Sequence, residues 1–220
     1  MKKQKVSDAV IHRLPRYYRY LDELHNKGVV RISSNSLGQK MDITASQIRQ
    51  DLSCFGEFGQ QGYGYNVEYL FEEIGKILGL NTIQNMIIIG AGNLGQALAN
   101  YDFDRIGFKV IGIFDANPRL EGLAVHGIEI KMVDELEEFI KTHEIHVATL
   151  TVPKKNARTI ASQLEEWGIR AIWNFAPTDL HVSDDVCVKN VHLDESLMTL
   201  SYNFRNRGKE KYSYHSYMDD

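Results

Sequence analysis

The sequence predicts an α/β chain in two parts: a helical N-terminal domain carrying a β-hairpin, then a parallel sheet covered by helices and closed by a last helix. Three observations predict it. From Met86 onward, strand-like and helix-like segments alternate, the pattern of a parallel sheet. The first of those strands runs straight into Gly90-Ala91-Gly92-Asn93-Leu94-Gly95. The residues before about 80 lack this alternation, and read as short helices followed by a stretch rich in glycine and aromatics, Cys54 to Tyr65.

In the first part, Tyr17, Leu21 and Leu24 recur at i, i+4 and i+7, and Gly28 follows as a C-terminal cap. A second short helix is expected from the Ser33–Ser36 cluster to Lys40. Thr44-Ala45-Ser46-Gln47 then reads as a capping box: the Thr44 hydroxyl accepts from the Gln47 amide, and the Gln47 side chain reaches back to the Thr44 N–H. On the helix this opens, Ala45, Ile48 and Leu52 share one face and are expected to point inward. Ser46, Gln47, Gln50 and Ser53 point the other way, with Arg49 on the flank. Four glycines among the aromatics of residues 54–65 suit a hairpin, because glycine supplies the positive φ angles of tight turns. Val67, Leu70, Phe71, Ile74, Ile77 and Leu78 mark an amphipathic helix ending at Gly79, and Leu80 to Asn85 is the candidate boundary. Short helix, capped second helix and hairpin, in that order, are the parts of a winged helix-turn-helix. Amide, hydroxyl and guanidinium groups on the outer face suit base edges in a major groove.

In the second part, strands are expected at 86–89, 108–114, 146–151, 171–175 and 186–191. Helices are expected at 93–101, 134–142, 154–167 and about 195–205. In the Gly90–Gly95 segment, Gly90 would make the tight turn, Gly92 would let backbone approach a pyrophosphate, and Gly95 would allow close helix–strand contact. Free N–H groups at the start of the helix suit an anion, and Ala91, Asn93 and Leu94 are expected in the same site. Asp115 lies twenty residues beyond Gly95, at the end of the next strand; a carboxylate there accepts from a ribose 2′-OH and repels a 2′-phosphate. These are the marks of a Rossmann-type domain that binds NAD(H). Thr151-Val152-Pro153 and the loop holding Asn174 and Pro177 should line the same crevice, and Tyr101 is a candidate to stack near the nicotinamide.

Bulk properties narrow the function. Of 220 residues, 43% are hydrophobic and 25% charged, as in ordinary globular domains. No apolar run suits a membrane span, and Met1 to Tyr20 lacks the continuous apolar core of a signal peptide. Cys54 and Cys187 lie far apart, which argues against a disulfide framework and for a reducing cytoplasm. His126, His143, His146 and His181 fall into no metal-ligand spacing, so no metal is expected, and Cys187 reads as a packing residue. The net charge is −4, but residues 1–60 hold ten Lys and Arg against six Asp and Glu, a net of +4 that leaves −8 for the rest. A basic end on an acidic body suits contact with phosphate backbone. An enzyme is not expected: no Tyr-x-x-x-Lys pair follows the glycine motif, and about forty-five residues after Pro177 are too few for a separate catalytic domain. An NAD(H)-dependent oxidoreductase with an accessory helical domain, and a nucleotide-binding module acting on a protein partner, remain as other readings.

Across roughly Val6 to Phe204 the chain resembles the Rex family of bacterial redox-sensing transcriptional repressors. The resemblance is carried by residues 44–53 and by Phe55-Gly56-Glu57-Phe58-Gly59 with Gly62-Tyr63-Gly64-Tyr65. It also rests on the Gly90–Gly95 motif, Thr151-Val152-Pro153 and Asn174-Phe175-Ala176-Pro177. It implies a homodimer on double-stranded operator DNA, with Ser46, Gln47, Arg49, Gln50, Ser53 and the wing residue Tyr63 at the duplex. NADH and NAD compete for the crevice, and NADH lowers DNA affinity. The implied domains are 1–80, a winged helix; 81–193, the NAD(H) domain; 194–207, a helix swapped between subunits; and 208–220, a disordered tail. Two departures stand out. Gln60-Gln61 occupy wing positions where the family often has Lys or Arg. His192 follows Asn190-Val191 where the family often has an acidic residue able to meet an arginine, here Arg19. Asp194 is the candidate for that acidic role, so Arg19, His192 and Asp194 form the expected switch.

Overall fold

The computed structural model describes residues 6–56, 58–60 and 63–207, and the chain divides into two compact units, Met1–Thr82 and Ile83–Asp220. The expected tail, 208–220, lies outside the described residues, as does Gln61.

The first unit holds helices α1 (Asp8–Asn26), α2 (Ser34–Met41), α3 (Ala45–Ser53) and α4 (Val67–Ile77). Its strands are β1 (Arg31–Ile32), β2 (Gly59–Gln60) and β3 (Gly64–Asn66). α1 starts nine residues before Tyr17 and runs through Pro15. A helix-interior proline costs about 3 kcal/mol, yet Val10, Leu14, Tyr17, Leu21 and Leu24 are all buried, and that apolar stripe outweighs the break. The Thr44 hydroxyl accepts from the Gln47 N–H at 3.1 Å, so the cap of α3 forms. The reciprocal half does not, because the Gln47 side chain turns to Asp51 instead. α2 comes close to the turn before α3 at Gly38, where a Cβ would sit 2.6 Å from the Ile43 carbonyl oxygen. β2 and β3 pair antiparallel as the expected hairpin, and β1, unforeseen, adds to the other edge of β3. Gly64 has φ +71°, and a Cβ there would sit 2.6 Å from the Ile32 carbonyl oxygen. The result is a winged helix-turn-helix.

The second unit is a seven-stranded sheet of order β10-β9-β8-β4-β5-β7-β6. Its strands are β4 (Gln84–Ile89), β5 (Phe108–Asp115), β6 (Ala124–Val125), β7 (Ile128–Met132), β8 (Val147–Leu150), β9 (Ala171–Asn174) and β10 (Cys187–Asn190). All neighbours are parallel except β6 and β7, a short hairpin that no alternation in the sequence announced. Without the β6 edge, the order from β7 to β10 is the doubly wound 3-2-1-4-5-6, a Rossmann-type sheet. Alternate residues of β4 feed two cores. Ile87 and Ile89 join Leu136, Ile140, Ala161 and Leu164 of α6 (Leu136–Thr142) and α7 (Lys154–Glu166). Ile88 joins Ala99 of α5 (Asn93–Ala99), Ile113 and Ile130 on the other face. α5 ends two residues short of Tyr101, and Cys187 is exposed rather than packed. α8 (Leu193–Asn206) buries none of its residues, and its Leu197, Met198, Leu200, Tyr202 and Phe204 are 62–75% exposed. Among the described residues no helix is long and apolar enough to cross a membrane.

Candidate dinucleotide crevice and nucleic-acid interface

The sheet reverses its winding between β4 and β8, and in doubly wound sheets the carboxyl ends of the strands at such a reversal are where a ligand crevice forms. The Gly90–Gly95 turn lies there. The Gly90 N–H continues the β5 ladder by donating to the Phe114 carbonyl at 2.8 Å, then φ of +104° swings the chain across the end of β8. The Thr151 hydroxyl donates to the Gly90 carbonyl at 2.6 Å, and a Cβ on Gly90 would lie 2.8 Å from the Thr151 carbonyl oxygen. A Cβ on Gly95 would run into the Gly90 carbonyl oxygen. Gly92 differs. Its φ of −69° suits any residue, and a Cβ there would meet nothing within 4 Å. The fold therefore does not need glycine at 92. The N–H groups of residues 92–95 precede the first intrahelical bond of α5, from Gln96 N–H to the Gly92 carbonyl.

Asp115 ends β5 beside this turn. Its Oδ2 accepts from the Ala91 N–H at 2.6 Å and its Oδ1 from the Asn117 N–H at 2.7 Å. Each carboxylate oxygen keeps a further lone pair for a ribose hydroxyl. Ala91 is fully buried, Asn93 exposed and Leu94 half-buried, while Val152 and Pro153 line the β8 end. Asn174, expected at the crevice as a contact, has a fully buried side chain. Its amide donates to the Thr178 carbonyl and to Asn190 Oδ1, both at 2.8 Å, and its Oδ1 accepts from the Ala176 N–H. It shapes the loop that presents the exposed Pro177, and its side chain has no exposed surface. Tyr101 is 63% exposed and tilts against Phe103 with ring centres 4.7 Å apart, past the end of α5 rather than at the glycine turn.

In the first unit, Ser46, Arg49, Gln50 and Ser53 are exposed along α3, and Tyr63 is 69% exposed at the hairpin. Arg49 donates to Ser34 Oγ at 3.0 Å, which ties its guanidinium to the start of α2. Arg31, which sequence reasoning passed over, donates to the Tyr63 carbonyl and lies 6.0 Å from the centre of its ring. It sits on β1, and the missing β1 hid it. Beneath the exposed row lies a second omission. Asp51 is wholly buried and its carboxylate accepts from Arg13 Nε at 2.6 Å, Arg13 Nη2 at 2.8 Å, Tyr17 Oη at 2.8 Å and Gln47 Nε2 at 2.7 Å. Burial opposes the charge, but the bonds from Arg13, Gln47 and Tyr17 outweigh it and hold the carboxyl below its ordinary range. The same burial and the neighbouring carboxylate push the Tyr17 phenol up.

Of the expected switch residues, Arg19 is exposed in the first unit, its guanidinium 5.6 Å from the Tyr20 ring centre. His192 precedes α8 in the second, where its Nδ1 pairs with Glu195 at 2.8 Å and its Nε2 is buried without a hydrogen-bond partner. Asp194 is exposed in the first turn of α8.

Known proteins meet both units. Residues 5–53 match the family model described as "Putative DNA-binding protein N-terminus", and residues 81–178 match "CoA binding domain". The redox-sensing transcriptional repressor Rex of Clostridium perfringens strain SM101 is 56% identical over 202 residues, 91% of this chain and 95% of that one. Its counterpart in Thermoanaerobacter pseudethanolicus is 58% identical over 91% of this chain and 90% of that one. The chain belongs to the Rex family of redox-sensing transcriptional repressors. Solved Rex-family structures agree with the fold. RSP in complex with beta-NAD+ and operator DNA has a TM-score of 0.89 at 56% identity, covering 94% of this chain and 96% of that one. RSP in complex with beta-NADH has a TM-score of 0.87 at 53% identity, covering 94% and 98%. The Rex relatives are named as repressors and not as enzymes, and this chain is a repressor of that kind.

Two titrations check the site. Because the Asp51 carboxyl is held low in the folded state, its stabilisation is present above the unfolded carboxylate value of about 4 and is lost as pH falls through the folded value. Denaturant midpoints measured on acidification should fall less steeply for Asp51→Asn than for the parent. Equal slopes would contradict the network. His192 is held above the ordinary imidazole value, first by its bond to Glu195, with Asp179 and Asp194 adding and desolvation opposing. Its stabilisation is therefore present below about pH 6.5 and lost as pH rises through the folded value. In an NMR titration Glu195→Gln should bring the His192 midpoint down; an unchanged midpoint would remove the pairing.

Proposed function

We propose that this chain binds operator DNA as a homodimer and leaves it when NADH occupies the crevice between Gly90 and Asp115. The observation that carries the reading is Gly92, a glycine the backbone does not require, facing space that a side chain would fill. A pyrophosphate approaching the main chain there uses that space, with the N–H groups of residues 92–95 as donors. Asp115 would take the adenosine ribose. A carboxylate at that position repels a phosphorylated ribose, which favours NAD(H) over NADP(H) and over coenzyme A. RSP, so similar in fold and sequence, has been crystallised with beta-NADH and with beta-NAD+ and operator DNA, and this supports the same effectors here. Thr151, Val152, Pro153 and Pro177 would form the nicotinamide side of the crevice.

The nicotinamide supplies the redox signal when bound: a flat cation in NAD, a neutral puckered ring in NADH. A ligand shifts affinity for DNA only by binding two arrangements of the protein differently. A tenfold change needs about 1.4 kcal/mol of coupling. The exposed row Ser46, Arg49, Gln50 and Ser53 would enter the major groove, with Arg31 and Tyr63 on the wing. Two copies related by a two-fold axis would place their recognition helices about 34–36 Å apart. α8 supports the dimer: it exposes a run of large apolar side chains that a second copy would cover, consistent with a swapped helix at 194–207. Residues 1–80 would then be the DNA-binding domain and 81–193 the NAD(H) domain. The exposed Cys54 and Cys187 suit a reducing cytoplasm.

Gly92→Val should fold, since nothing lies within 4 Å of its Cβ, and should bind operator while ignoring NADH. Asp115→Ala should weaken NADH binding by roughly tenfold or more, the value of a charge-assisted hydrogen bond. Arg49→Ala and Gln50→Ala should do the reverse, losing operator affinity with NADH binding intact. Calorimetry with NADH and gel shifts with operator measure both. A Gly92→Val protein that still releases operator at low NADH would contradict the crevice assignment.

A further inference from the structure

Every polar residue on the outer side of α3 has been a candidate base reader, but Gln47 is placed differently from the rest. At 100° per residue, it lies about 110° around the helix from the middle of the exposed row formed by Ser46, Arg49, Gln50 and Ser53, next to the inward-facing Asp51. It is half-buried where those four are exposed. Its Nε2 donates to Asp51 Oδ1 at 2.7 Å, one turn further along the same helix. Asp51 in turn is the buried point at which Arg13 and Tyr17 of α1 meet α3.

We propose that Gln47 is a positioning residue that acts through Asp51 to set α3 against α1, and that base reading falls to the exposed residues Ser46, Arg49 and Gln50. The inference rests on the operator-binding reading above. Asp51 has no exposed surface, so the carboxylate depends on protein donors for every hydrogen bond it makes. Arg13 and Tyr17 supply three, and Gln47 supplies the fourth from within α3 itself. Turning the Gln47 amide outward to a base would leave a buried charge short of a donor. A hydrogen bond to a buried carboxylate and a base-edge contact are of similar strength, so the exchange would bring no net gain. Kept inward, the amide holds the Asp51 carboxylate in the orientation that receives Arg13 as a two-pronged partner. The angle of the recognition helix on α1 then depends on a residue that touches no base. Exposed Gln50, 140° around from Ala45 on the same helix, carries the same amide to the face that can use it.

The test is selection from a random duplex library by the full chain with saturating NAD, followed by affinity measurement on the selected duplex and on each single-base variant. The proteins are the parent, Gln47→Ala, Gln47→Lys and Gln50→Ala. Gln47→Lys places an ammonium where it can reach Asp51, so it restores the donor but not an amide edge. Gln47→Ala should select the same sequence as the parent with affinity lowered by about tenfold, the size of one charge-assisted hydrogen bond. Gln47→Lys should select that sequence with affinity within about threefold of the parent, the donor being restored. Gln50→Ala should lose its preference at one base position by about tenfold, as expected for a direct reader. Loss of preference confined to a single base position in either Gln47 variant, as in Gln50→Ala, would overturn the inference, since that is the mark of a side chain in contact with a base edge. Parent-like affinity in Gln47→Ala would overturn it too. A parent that selects no sequence would instead contradict the operator-binding reading itself.

Discussion

The second unit is organised by one contact, the approach of the Gly90 main chain to Thr151. Two parallel strands, β4 and β8, end side by side at the point where the sheet reverses its winding. The chain leaving β4 must cross the end of β8 with no room for a side chain, because a Cβ on Gly90 would lie 2.8 Å from the Thr151 carbonyl oxygen. The Thr151 hydroxyl then closes the turn with a 2.6 Å bond to the Gly90 carbonyl. This pins the start of α5, brings Ala91 N–H within reach of Asp115, and leaves the outer side of the turn, at Gly92, open. Two glycines, Gly90 and Gly95, are thus demanded by the fold, and Gly92 is not.

The first unit solves a comparable problem with charge. Its helices share an apolar core of Leu14, Tyr17, Leu21, Leu37, Ile48, Leu52 and Leu70. Apolar packing tolerates sliding, whereas Asp51, buried with four hydrogen bonds, accepts only one placement of α1 on α3. Arg16 adds a second fixed point by donating to the Met41 carbonyl at the end of α2, at 2.7 Å. Both helices of the helix-turn-helix are therefore tied to the first half of α1. A helix-turn-helix whose two copies must match a fixed spacing on DNA gains from such rigidity, since a small rotation of α3 changes the fit.

Much of this was legible in the sequence because it follows from periodicity and from glycine. The βα alternation, the Gly90–Gly95 turn, Asp115 at the end of β5 and the Thr44 cap each rest on a local pattern. What escaped rested on partners distant in sequence. β1 is two residues long and is defined only by its pairing with β3, whose residues come far later in the chain. The β6–β7 hairpin replaces a helix that alternation would place after β5. Pro15 hid the first half of α1, and with it Arg13. One signal was available: Asp51 falls between Ile48 and Leu52 on the inward side of α3, and a carboxylate there requires a cation on the facing helix. Reading that requirement would also have shown the Gln47 amide turned to Asp51. Asn174 shows the converse, a polar side chain whose hydrogen bonds hold its own loop.

On the function proposed above, the state of a nicotinamide in the second unit sets the DNA affinity of the first. The direct measurement is fluorescence anisotropy of a labelled operator duplex with the full chain, at fixed total nucleotide, as the NADH to NAD ratio is raised. Operator affinity should fall by at least about tenfold between the NAD-saturated and NADH-saturated ends, a coupling of about 1.4 kcal/mol. Affinity independent of the ratio, with both nucleotides shown by calorimetry to be bound, would contradict it.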